Sequence, residues 1–127
     1  MALTLGSPSV SFPIATAARN AQADAFTTLL ATGAGTATLL LRNSTTTLVT
    51  FNLSNTPFGA AATGAITLAG VTLSTTASAG TATAVDNYQL KDRNSTVQWG
   101  GVVTGSDTIT SGQTVNLTSL VITWPVS

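Results

Sequence analysis

The sequence predicts a mainly β protein, an antiparallel β-sandwich or flattened barrel with one N-terminal α-helix and an extended N-terminal arm. Three observations predict it. Short apolar or alternating runs recur about every 8–12 residues, punctuated by Gly, Asn and Ser, the spacing of a sandwich or barrel. Threonine supplies about a fifth of the 127 residues; it suits a pleated, half-buried surface and hydrates an exposed face without charge. Only one segment shows helical spacing.

The elements follow in order. Residues 1–14 read as the arm, with Val10, Phe12 and Ile14 alternating with Ser9, Ser11 and Pro13. Pro8 and Pro13 cannot donate ladder hydrogen bonds, so the arm can pair only at a sheet edge. Residues 15–127 form the β domain, opening on a helix over about 16–31. Thr16 is placed to cap that helix and Gly33 to stop it. Its packing face is expected to be Ala18, Ala21, Ala25, Phe26, Leu29 and Leu30, with Arg19, Asn20, Gln22 and Asp24 facing elsewhere.

Strands are expected over 36–42, around Leu39-Leu40-Leu41, and over 47–54, where Val49, Phe51 and Leu53 share a face, with an Asn43-Ser44 turn between. Short strands over 65–69 and 71–75 flank Gly70. Segments 84–91 and 96–103 read as a hairpin closed by Asp92-Arg93-Asn94-Ser95, with Tyr88, Leu90, Val97 and Trp99 as its large apolar residues. Residues 108–110, a Ser111-Gly112 turn and 114–126 close the chain. In the last segment Val115 and Leu117 change phase to Leu120, Ile122 and Trp124, which predicts a bulge at Thr118-Ser119.

Charge and chemistry narrow the function. The chain has no His and no Cys, four Lys plus Arg, four acidic residues (all Asp), and a net charge of zero. Catalysis usually needs a tunable acid, base, nucleophile or metal ligand, so no enzyme activity, no cofactor and no metal site is expected. Without His no Ser or Thr can be activated in a triad. A hard-cation site at Asp86-Asn87 or Asp92-Arg93-Asn94 would need about six oxygens and, in the EF-hand form, a distal Glu; hydrogen-bonded Asx turns are the better reading. Gly33-Ala34-Gly35 precedes a strand, whereas a phosphate loop follows one and opens a helix.

Nucleic-acid binding would need clustered Lys and Arg. No apolar stretch reaches the roughly 18 residues of a membrane span, and residues 1–13 lack the charged and apolar regions of an export signal. Sequons at Asn43, Asn52, Asn94 and Asn116 are expected by chance in so Thr-rich a chain. The Thr-x-Thr triplets at Thr36, Thr81 and Thr108 are too irregular for an ice-binding array. Tyr88, Trp99 and Trp124 could be imagined as a sugar-stacking platform, but aromatics on alternating strand positions are expected in the core. Edge charges are scarce, which predicts that some sheet edges are covered by partner chains.

A set of short motifs in a fixed order carries a resemblance. Ala17-Ala-Arg-Asn-Ala21, Thr32-Gly-Ala-Gly35, Thr38-Leu-Leu-Leu-Arg42 and Phe58-Gly-Ala-Ala-Ala-Thr-Gly64 are followed by Tyr88-Gln-Leu-Lys-Asp92, Val97-Gln-Trp-Gly100 and Ser111-Gly-Gln-Thr-Val115. Together they resemble small structural proteins of tailed bacteriophages, of the head decoration or capsid cement type. The resemblance spans Ala15 to Pro125; the arm is a departure from it. It implies a protein of the virion surface, assembled in the host cytoplasm, that binds the major capsid protein and forms a homo-oligomer, a dimer or trimer. No nucleic-acid, membrane or small-molecule partner is expected. The alternative is a tail or head-fibre component acting as a receptor- or glycan-binding module. Val10, Phe12 and Ile14 are the expected partner-binding residues.

Overall fold

A computed structural model describes residues 14–105 and 107–124. The protein is mainly β, and among the described residues it has one helix and antiparallel pairing throughout. Helix α1 (Thr16–Leu30) is followed by β1 (Thr38–Asn43), β2 (Thr46–Asn52), β3 (Ala65–Thr67), β4 (Leu73–Thr76) and β5 (Thr83–Ala84). Then come β6 (Asn87–Lys91), β7 (Val97–Val102), β8 (Thr108–Ile109), β9 (Thr114–Leu117) and β10 (Val121–Thr123). A four-stranded sheet has the order β2-β1-β6-β7, and three two-stranded ladders pair β3 with β10, β4 with β9 and β5 with β8. One face of the large sheet packs on α1 and the small ladders, an arrangement compatible with a sandwich.

The core follows the alternation of the strands. Leu39 stands opposite Phe51 and Leu90 in register, and Leu41 opposite Val49 and Tyr88. Leu39, Val49, Phe51 and Leu90 pack with Ala23, Phe26 and Leu30 of α1 and with Ile66, Ile109 and Ile122 of the ladders. Leu48, expected on the outer face with Thr50 and Asn52, is also buried. The β1–β2 register shifts beside Leu41, and the bulge lets Leu48 turn inward against the loop at Gly80.

The helix begins and ends almost as expected, but its orientation and its cap differ. Ala15, not Thr16, is the N-cap, and no side chain caps the end; Thr16 Oγ1 instead accepts a bond from Arg19. The buried residues are Ala23, Phe26 and Leu30, while Ala18, Ala21, Ala25 and Leu29 are exposed. Polar bonds turn the helix away from the alanine face. Arg19 donates to Thr63 O, Asn20 Oδ1 accepts from Gly64 N–H at 2.7 Å, and Asp24 Oδ1 accepts from Ala61 N–H at 2.8 Å. Burying alanine methyl groups contributes too little to override three such contacts.

The C-terminal segment differs too. The phase change at Thr118-Ser119 is not a bulge in one long strand but the break between β9 and β10. The two strands pair with different partners, β4 and β3, so each follows its own alternation.

Candidate functional site

The expected partner-binding residues fall largely outside the described region. Val10 and Phe12 lie outside the described residues; Ile14 is half-buried, in no strand, two residues before α1. On the domain itself, three places combine exposed or unusual groups.

The first is the pair of Asp clusters, which the structure uses as turn latches. Asp86 accepts from Ser44 N–H at 2.9 Å, and Asn87 Nδ2 donates to Ser44 O at 3.0 Å. Ser44 sits at φ 52°, and these bonds hold it there. Asp92 is only 4% exposed. Its Oδ1 accepts from Asn94 and Thr96 N–H, each at 2.9 Å, and its Oδ2 accepts from Gln98 Nε2 at 3.0 Å. It closes the β6–β7 hairpin as an Asx turn, as the sequence predicts.

That cradle holds the Asp92 carboxyl below its ordinary value of 3.8, chiefly through the Thr96 amide, then the Gln98 side chain and the Asn94 amide, with burial opposing. A carboxyl lowered on folding adds stability above its unfolded value, and that stability is lost as pH falls through the folded value. Thermal melts from pH 7 to pH 2 should therefore show a fall that sets in below about pH 4. Asp92→Asn should reduce that acid-side fall; an unchanged slope would refute the assignment.

The second place is a cleft of about 290 Å³ between the large sheet and the β5–β8 and β4–β9 ladders. Leu41, Val85, Val103, Ile109 and Val115 supply apolar walls, with Asp107, Gln113 and Asn116 among the polar lining. Gln113 Oε1 accepts from Thr110 N–H and Asn116 Oδ1 from Ser74 Oγ, so those two amide oxygens are already engaged. The volume is at the lower limit for small-molecule sites, and the lining pairs no nucleophile with a base.

The third is the open flank of the large sheet. Phe26 of α1, Trp99 of β7 and Trp124 after β10 form a cluster with centroids 5.5–5.8 Å apart. Trp99 Nε1–H donates to Tyr88 Oη at 2.9 Å. Trp99 and Trp124 are tilted by 40° to each other and T-packed or tilted on Phe26, a packed knot rather than a flat stacking platform. Trp99 is nevertheless 38% exposed, and Val97 and Val102 on the same strand are exposed as well. Sequence reasoning found the hairpin but not this flank, because nothing local says which strand ends the sheet.

Among the described residues no three His, Cys, Asp or Glu gather as a metal-ion site, and no helix is long and apolar enough to cross a membrane. Six charged side chains serve loop or turn contacts: Asp24, Asp86 and Asp92 as acceptors, Arg19, Arg42 and Arg93 as donors to backbone oxygens. No protein-family model, curated protein or solved structure matches the chain.

Proposed function

We propose that this chain is a non-enzymatic structural protein of a virion, a decoration or cement protein that binds the major capsid protein and stabilises a phage head. One observation carries the reading. Six of the eight charged side chains are drawn into loop and turn contacts, and six large apolar side chains stand exposed: Leu29, Val71, Val97, Trp99, Val102 and Val121. Such a surface adheres by nonpolar fit and main-chain pairing, with little electrostatic steering. The ordered motifs that resemble phage head proteins supply the partner. A clamp of this kind binds the assembled shell better than free subunits and stabilises it by mass action. The packed arrangement of Phe26, Trp99 and Trp124 favours this reading over a glycan-binding fibre module.

Purified particles test it by band quantification and by washing. A shell protein is present in hundreds of copies per particle, a fibre or tail part in far fewer. Attachment should persist in about 1 M salt, where screening acts over only about 3 Å. Low copy number, or release of the protein by salt alone, would defeat the proposal.

A further inference from the structure

We infer that β7 is a self-association edge, pairing antiparallel with β7 of a second copy about a two-fold axis at Gly100 to join two four-stranded sheets into one. The inference does not depend on the capsid reading.

Of the two ends of the large sheet, β2 is partly closed, because Leu48 O accepts from Ser78 N–H at 2.9 Å. Among the described residues nothing pairs with the outer side of β7. The strand Val97-Gln-Trp-Gly-Gly-Val102 carries no Lys, Asp or Pro, so the charge and proline guards of an edge are missing; its bulge, which leaves Gln98 without a partner on β6, lies toward the hairpin turn and away from Gly100 to Val102. Its ladder groups are turned outward. Val103 N–H donates to Asp86 O at 3.0 Å. Backbone groups alternate sides along a strand, so those of Gly101 and Trp99 turn toward β6 and those of Gly100 and Val102 face away.

The side-chain pattern selects the occupant. Opposed residues in an antiparallel pair share a face, so a two-fold must pass through a residue rather than between two. Centred on Gly100, the axis sets Gly100 opposite itself and Val102 opposite Gln98 of the second copy. Trp99 then meets Gly101 of the second copy. That glycine has no side chain of its own; a Cβ there would lie 2.8 Å from Tyr88 Cε1, so the tyrosine ring already fills its place. Trp99 therefore meets a position without a side chain, backed by the tyrosine ring of the second copy. Centring on Trp99 would force two indoles together, and the size pattern disfavours it. Val102, 80% exposed, becomes covered. A net charge of zero leaves no long-range repulsion between copies.

Sedimentation of the full chain from about 1 to 100 μM, the range fitting a small interface, should show a rise from 12.7 kDa to twice that mass and no further. Isologous pairing closes at two. Val102→Lys should raise the half-dimer concentration at least about tenfold, with an unchanged circular dichroism spectrum. Val121→Lys, an exposed valine off this strand, should leave it unchanged. Amide exchange of Gly100 and Val102 should slow as concentration rises. Phe12→Asp should not alter the dimer. A monomer at about 100 μM, a trimer, equal effects of the two valine variants, unprotected Gly100 and Val102 amides, or a dimer lost on Phe12→Asp would each overturn the inference; the last would make residues 1–13 the occupant of the edge.

Discussion

Phe51→Ala should destabilise the protein by about 3–5 kcal/mol and lower its melting temperature by roughly 10–20 °C. Phe51 is 1% exposed near the end of β2. Its ring packs with Leu39 opposite it and with a cluster that includes α1 and the ladders. Removing it leaves a cavity that surrounding strands cannot close without breaking their registers. With no cysteine in the chain, no disulfide limits the unfolded state. Thr50→Ala, on the exposed neighbouring position, should stay within about 0.5 kcal/mol. Urea denaturation followed by tryptophan emission and circular dichroism would measure both. A loss below about 1 kcal/mol for Phe51→Ala would mean that this face of β2 is not the interior.

The contrast between Phe51 and Thr50 was legible in the sequence because a strand alternates with a period of two and a polar residue marks the wet face. The β6–β7 hairpin was legible for a similar reason: Asp92-Arg93-Asn94-Ser95 is turn chemistry between two apolar runs. What was not legible depends on partners distant in sequence. Spacing identified Phe26 and Leu30, which are buried, but the helix carries apolar residues on more than one side, so it could not choose Ala23 over Ala18, Ala21, Ala25 and Leu29 as their buried neighbour. The choice is made by Arg19, Asn20 and Asp24 binding the loop from Ala61 to Gly64, a segment about forty residues away.

The ladders β3–β10, β4–β9 and β5–β8 were equally hidden. Strands only four residues long, such as Leu73–Thr76 and Thr114–Leu117, have few large side chains to specify a partner. The same limit explains the candidate site. Trp99 was visible as a large residue on a strand, but its exposure follows from β7 ending the sheet, a property of strand order alone. The Asp92 latch could be read locally because all of its partners lie within six residues.

Gly35→Val should cost about 2–4 kcal/mol and loosen the packing of α1 on the hairpin. Gly35 N–H donates to Arg93 O at 2.9 Å, and Arg93 Nε donates back to Gly35 O at 2.9 Å. A Cβ at Gly35 would sit 2.5 Å from Arg93 O, so a side chain must push the two segments apart and break both bonds, one of them charge-assisted. Gly33 reinforces the junction: it lies at φ +123°, and a Cβ there would be 2.8 Å from the backbone of Arg93. Because the same hairpin carries Trp99 against Phe26, separation should shift tryptophan emission to the red before global unfolding. Gly59→Ala, where a Cβ would meet nothing within 4 Å, should be nearly neutral in both measurements. Arg93→Ala should share much of the Gly35→Val loss, so the double variant should be less destabilised than the sum of the two. Additive losses would mean that the two residues act independently.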